Sequence, residues 1–203
     1  MPLDEKAMAA RVKAQLRKRL RQLRSTTPTQ AAERCSASIV DQVLDLREWG
    51  DAVNVALFWP MKEKREVDVV RLDGAARGDG KRVAYPFMRP SDGGFSTGFA
   101  WVEDPSVLED GGHGFREPPP AALAARGDEL DLIVVPALAV APTGHRVGFG
   151  RGWYDATLGE FRPKATLIVV AFEFQLLMEV PVEEHDIACD YVVTEKRVIV
   201  VDS

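Results

Sequence analysis

The sequence predicts an α/β fold: one three-layer domain over residues 1–203, with a largely parallel central sheet and helices on both faces. Three observations carry this. Leu130 to Val140 (LDLIVVPALAV) and Ala165 to Phe174 (ATLIVVAFEF) are near-continuous apolar runs, as expected of strands buried on both faces rather than one. Helical periodicity recurs between the strand-like segments instead of being segregated from them. A glycine-rich stretch joins the end of the first run to a helix start, where open α/β sheets place their ligands.

Size and composition bound the possibilities. A chain of 203 residues is large enough for a real core in one domain. Its net charge of −5 gives no general pull toward nucleic acid. No run approaches the roughly 20 apolar residues that span a bilayer, and the N-terminus lacks the apolar centre of a secretory signal. Neither nucleic acid nor membrane is therefore an expected partner. Residues 1–24 are basic and helical, which leaves a mitochondrial presequence open, but Asp4 and Glu5 argue against one and the cytoplasm is the expected compartment. Cys35 and Cys189 occur without a CxxC pair and read as reduced thiols.

Taken in order, residues 4–24 form a helix whose apolar stripe is Met8, Val12, Leu16, Leu20 and Leu23. Lys13, Arg17 and Arg24 share another face, where like charges repel unless an anion sits among them. Thr27-Pro28-Thr29-Gln30 supplies an N-cap, a first-turn proline and a capping-box glutamine for a second helix reaching Trp49. Val53 to Phe58 alternates as a strand ending at Pro60. Lys81–Met88 and Gly94–Val102 read as strands, the latter at an edge. Residues 103–128 form a long surface connection. Beyond the 165–174 strand, Tyr191–Glu195 and Arg197–Val201 form a hairpin-like pair.

Pro136 to Leu158 (PALAVAPTGHRVGFGRGWYDATL) is the centre of the chain. Gly144, Gly148, Gly150 and Gly152 permit positive φ and remove Cβ atoms, so backbone N–H groups can turn toward a bound anion. Arg146 and Arg151 add forked cationic donors suited to phosphate oxygens. Asp155, in the first helical turn, is a hard oxygen ligand suited to magnesium carried on a nucleotide. The spacing excludes two familiar loops: there is no G-x-x-x-x-G-K-[ST], and Trp153 stands where the third dinucleotide glycine belongs.

The string G-x-R-x-G-x-G-R-G-W-Y-D, preceded by VVPALAV, resembles the signature of the 5-formyltetrahydrofolate cyclo-ligase (5,10-methenyltetrahydrofolate synthetase) family. Lys13-Ala-Gln-Leu-Arg17 with Arg24, Glu66-Val67-Asp68 as a helix start, and Gln175 with Pro181-Val182-Glu183-Glu184-His185-Asp186 followed by Asp190 and Val192–Glu195 match further family stretches in order. The resemblance implies an enzyme that closes 5-formyltetrahydrofolate, with or without a polyglutamate tail, to 5,10-methenyltetrahydrofolate. It uses ATP and Mg2+, phosphorylates the formyl oxygen and lets N10 attack the activated carbon. It implies ATP binding by Lys13, Arg17 and residues Arg146, Val147, Gly148, Phe149, Gly150, Arg151, Gly152, Trp153 and Tyr154, with Arg24 behind Lys13 and Arg17 on the helix that helps hold ATP, and with Arg146 and Arg151 catalytic. Folate contacts fall on Met61, Glu66, Phe149, Gly150, Arg151, Gly152 and Trp153. Asp155 and Asp186 are the expected metal ligands, with Asp190 behind Asp186, in a monomer.

Two departures are visible: Trp153 stands where the family has tyrosine, and Arg151 where lysine is common. Phe95, Phe99 and Trp101 are candidate covers for the aminobenzoyl part. On the residues alone two other readings stay open. A sugar-phosphate isomerase or CoA-transferase-like enzyme of a related fold would use a carboxylate without ATP. A nucleic-acid-binding module on the basic helix leaves the glycine–arginine loop without a role.

Overall fold

A computed structural model describes residues 3–92, 94–112, 114–150 and 152–202. The chain opens with α1 (Leu3–Thr26), α2 (Thr29–Leu44) and α3 (Arg47–Asp51). The helix expected to reach Trp49 breaks after Leu44, because Leu46 takes extended backbone ahead of α3. Thr27 does not cap α2: its Oγ1 turns back to donate to Leu23 O at 3.1 Å, and Pro28 holds the cap position with no side-chain bond.

There follow β1 (Asn54–Ala56), α4 (Val70–Gly78), β2 (Arg82–Ser91) and β3 (Gly94–Trp101). The helix expected to start at Glu66 begins at Val70, whose N–H donates to Asp68 Oδ1 at 3.1 Å. The 103–128 connection contains a small hairpin, β4 (Glu109–Asp110) with β5 (Arg116–Glu117). Next come β6 (Leu132–Pro136), β7 (Ala139–Val140), β8 (Arg146–Val147), α5 (Trp153–Phe161), β9 (Thr166–Val170), β10 (Tyr191–Val193) and β11 (Val198–Val200).

Seven strands form the central sheet in the order β11-β10-β9-β6-β1-β2-β3. Five run parallel, and β3 and β11 close the two edges antiparallel. Successive residues in the central strands serve opposite faces. Val55, Leu132, Val134, Ile168 and Val170 pack toward α2, α3 and α4. Ala56, Ile133, Val135, Leu167 and Val169 pack toward Trp153, Leu158 and Phe161 of α5. Both sets are buried, which explains why these strands read as unbroken apolar runs. Burial of each large aliphatic contributes about 1.5–3 kcal/mol.

Two departures matter for the site. The 130–140 run is not one strand: β7 leaves the sheet after Pro136 and pairs antiparallel with β8. In α1, Met8, Val12 and Leu23 of the expected stripe are 68%, 37% and 43% exposed, whereas Lys13, Leu20 and Arg24 are buried. Leu20 packs with Ala139, Ala141 and Val147, so α1 lies over the β7–β8 hairpin with a largely basic face turned inward.

Candidate active site

From β1 the chain moves to β2 and β3 on one side of the sheet, and from β6 to β9 and β10 on the other. Adjacent parallel strands whose connections diverge leave a crevice at their C-terminal ends. A cavity of about 720 Å3 lies there, bounded by Phe58 and Trp59 after β1 and Pro136 at the end of β6. That volume is ordinary for a small-molecule site.

The chain beyond β6 is held by Gln175, 1% exposed. Its Nε2 donates to Ala137 O and Leu138 O, both at 2.9 Å, while its Oε1 accepts from Phe172 N at 2.9 Å. This lock directs β7 and β8 over the crevice. Gly144 turns the hairpin at φ +77°, and a Cβ there would lie 2.2 Å from Cys189 O. The close approach lets Cys189 N donate to Gly144 O at 3.0 Å, which brings the 183–189 segment beside the loop.

Arg146 on β8 is 6% exposed. Its Nη1 donates to Ile187 O at 2.7 Å and its Nη2 to Asp155 Oδ1 at 2.9 Å, so it joins the loop, α5 and the 183–189 segment. Gly150 has φ +96°, and a Cβ on it would meet the Arg17 guanidinium at 3.0 Å. Arg17 Nε donates to Gly148 O at 3.0 Å and Arg21 Nη2 to Phe149 O at 3.1 Å. Those two bonds draw the Gly148 and Phe149 carbonyls toward α1. Gly152 enters α5 in the left-handed region, φ 65°. The first-turn N–H groups of α5 have no intrahelical acceptor, which makes this end receptive to anions.

Lys13 Nζ donates to Glu183 Oε2 and Asp186 Oδ2, both at 2.7 Å. Burial alone would lower the Lys13 pKa, but the bonds to Asp186 and Glu183 hold it above its ordinary value. Burial alone would raise Asp186, yet Lys13 and the Glu183 N–H keep it below the ordinary carboxylate value. Glu183 is lowered chiefly by its bond to Lys13. Asp190 lies elsewhere, engaged by Arg162 Nη1 at 2.6 and 2.7 Å and by Leu167 N at 2.7 Å.

Glu66, upstream of α4, is 6% exposed. Its Oε2 accepts from Met61 N at 2.8 Å. Burial pushes its pKa up to about 7, against the pull of the Met61 N–H and the Arg24 and Lys64 charges.

The cavity thus gathers Lys13, Arg17, Met61, Glu66, Arg146, Val147, Gly148, Phe149, Gly150, Gly152, Trp153, Tyr154, Asp155 and Asp186 on one wall system. Arg151 lies outside the described residues. Trp153 is a wall and also a core residue: its Nε1 donates to Phe87 O at 2.9 Å, and its ring meets Phe99 edge-on at 5.4 Å. Tyr154 packs under the Arg146 guanidinium at 5.8 Å, and burial pushes its phenol pKa upward. Asp155, Asp186 and Glu183 offer hard carboxylate oxygens suited to magnesium; a Glu183, an Asp186 and a His185 ligand atom fall within 4.8 Å of one another.

Phe95, Phe99 and Trp101, the aromatics expected from sequence, are not among the residues that line the cavity. Phe99 packs inward against Trp153 and Phe161, and Trp101 lies beneath Arg82 at 3.8 Å. Phe115, Pro86 and Met88 line the cavity instead. The β4–β5 hairpin brings Phe115 there, fastened by Glu117 Oε2 accepting from Met88 N at 2.6 Å. Local pattern carried no signal for this contact. Arg21, also on the wall, was legible in principle, being one turn beyond Arg17 on the same face of α1.

Comparison with known proteins agrees with the geometry. The sequence profile of the 5-formyltetrahydrofolate cyclo-ligase family matches residues 9–195. The chain is 35% identical to a 5-formyltetrahydrofolate cyclo-ligase of Mycolicibacterium smegmatis over 195 residues, covering 95% of this chain and 98% of that one. It is 26% identical to the Mus musculus cyclo-ligase over 196 residues, covering 91% and 92% of the two chains. The fold matches the NMR structure of an Aquifex aeolicus 5,10-methenyltetrahydrofolate synthetase with a TM-score of 0.79 at 27% identity, covering 95% and 94% of the two chains. With the profile spanning nearly the whole chain and the motif residues meeting in one cavity, the chain belongs to the 5-formyltetrahydrofolate cyclo-ligase family.

Proposed function

We propose that this enzyme closes 5-formyltetrahydrofolate to 5,10-methenyltetrahydrofolate, converting ATP to ADP and phosphate, as a single-domain monomer of the cytoplasm. The observation that carries the reading is the meeting of two unlike surfaces in one cavity. One is lined by residues 146–150 and 152–155 with Lys13 and Arg17 and suits anions. The other is the enclosed carboxylate of Glu66, an acceptor for ring N–H groups.

The formyl oxygen cannot leave unaided, so it first attacks the γ-phosphorus of ATP and ADP departs. N10 then attacks the formyl carbon and loses its proton. The C–O bond breaks, phosphate leaves, and the methenyl bridge remains. No protein nucleophile is needed. The chain contributes position and charge, as in phosphoryl transfer generally. Arg146, Arg151 and the loop N–H groups bind the phosphates, and Lys13 and Arg17 support them from α1. Glu66, Met61 and the 149–153 walls orient the folate ring. Asp155 and Asp186 would hold magnesium, which when bound neutralises charge on the phosphate oxygens.

The test is to follow the methenyl chromophore with 5-formyltetrahydrofolate, magnesium and ATP, omitting ATP as control. ATP-dependent absorbance supports the reading, and its absence in folded protein removes it. Light scattering after size exclusion checks the monomer.

A further inference from the structure

Among the described residues, two buried side-chain atoms on the cavity wall have no hydrogen-bond partner: Nε of Arg24 and Oε1 of Glu66. One is a donor and the other an acceptor. Arg24, at 2% exposed, is among the most enclosed charged side chains described. Its guanidinium lies 5.3 Å from the centre of the Phe149 ring, a cation–π contact that holds the group while its Nε stays without a partner. Burial lowers its pKa, partly offset by the attraction of Glu66. Arg17 and Arg21 on the same helix differ, since each donates to a loop carbonyl.

A buried donor or acceptor atom left without a partner is unfavourable and calls for one from a ligand. The chemistry of that ligand is restricted by the neighbours. A phosphate beside Arg24 would also face the Glu66 carboxylate and be repelled. A neutral ring edge bearing an N–H donor next to a carbonyl or ring-nitrogen acceptor would satisfy both groups.

We propose that Arg24 is a substrate-binding residue that works with Glu66 as a donor–acceptor pair for one edge of the folate's heterocyclic ring, and is not a phosphate ligand alongside Lys13 and Arg17. This rests on the function proposed above and adds a specificity residue to it. It also gives Phe149 a role: the loop that receives nucleotide holds the arginine that reads the ring, so loop ordering and ring binding are mechanically joined.

The test uses the full chain with Arg24→Met, which keeps the stem and removes the donor, and Arg24→Lys, which keeps charge but loses the fork. Each is titrated with 5-formyltetrahydrofolate alone by calorimetry, and KM is measured separately for 5-formyltetrahydrofolate and MgATP. Arg24→Met should weaken folate binding and raise the folate KM about tenfold or more, with the ATP KM within about twofold. Arg24→Lys should shift the same two quantities in the same direction by less. In Arg24→Met/Glu66→Gln the loss should fall short of the sum of the single losses. A raised ATP KM with unchanged folate affinity would overturn the assignment, as would a lowered melting temperature with both KM values unchanged. If Arg24→Met does not fold, Arg24→Lys decides by the same criteria. Wild-type protein that binds folate but forms no methenyl product would remove the proposed function, whereas an active wild type with unaltered Arg24 variants removes only the Arg24 assignment.

Discussion

The two parts of the cavity wall hold charge in opposite ways. Beside the glycine loop the charges are matched: Lys13 with Glu183 and Asp186, and Arg146 with Asp155. Beside Met61, Arg24 and Glu66 each keep an unsatisfied atom. A matched wall is stable when empty and must exchange internal pairs for ligand contacts. An unmatched wall is strained when empty and is relieved by a neutral polar ligand. That contrast suits an anionic triphosphate carried with a cation at the first wall and an uncharged ring edge at the second.

The contrast also predicts opposite pH responses. Asp186 and Glu183 are held below their ordinary values of 3.8 and 4.5, so their contribution to stability is present above those values and lost as pH falls through the lowered folded values. Glu66 is raised from 4.5 to about 7. Between those values the folded state binds more protons than the unfolded one, so stability declines as pH rises through that window.

The largest expected effect is on catalysis. Arg146→Ala should cost about 2–4 kcal/mol in transition-state stabilisation, roughly 10²–10³-fold in turnover. It should also lower the melting temperature, because Asp155 and Ile187 O lose their buried partner. Near-wild-type turnover would take this arginine out of the mechanism. Next is Glu66→Gln, which keeps an acceptor for Met61 N and removes the raised titration. Denaturant unfolding should show the variant about 3 kcal/mol more stable above pH 7, converging with wild type near pH 4.5, while its folate KM rises. An unchanged stability difference across that range would show that Glu66 is not strained.

Lys13→Met should then destabilise by about 2–3 kcal/mol at pH 7, since it leaves Asp186 and Glu183 facing each other. The loss should disappear in acid as those carboxylates protonate, and the ATP KM should rise with the folate KM little changed. A pH-independent loss would assign Lys13 to packing. The smallest effect is on the outer face of α1: Met8→Lys should change stability by no more than about 0.5 kcal/mol. A larger loss, read by thermal melting, would show that this face is covered in solution.

The same contrast explains what could be read from sequence. The central strands were legible because burial on both faces leaves an apolar run, and the loop was legible because positive φ and close approach require glycine at 144, 150 and 152. In α1 the apolar stripe was right at Leu20, which is buried, and wrong at Met8, Val12 and Leu23, which are exposed. Hydrophobic periodicity locates a core only where the facing surface is apolar, and part of α1 lines the cavity with basic side chains, so Lys13 and Arg24 are buried while Met8 is not. Glu66 was legible only through family resemblance. Phe115 and the Gln175 lock depend on segments brought together by strand order, which no local pattern encodes. The break at Pro136 follows the same rule, since only the pairing of β7 with β8 distinguishes it from a continuing strand.

The most direct test of the divided cavity is a crystal structure of the chain with magnesium, a non-hydrolysable ATP analogue and 5-formyltetrahydrofolate. The account predicts phosphates against residues 146–155 with Lys13 drawn away from Asp186, and the ring edge bridging Arg24 and Glu66. Phosphates resting on Arg24, with the ring at the glycine loop, would contradict it.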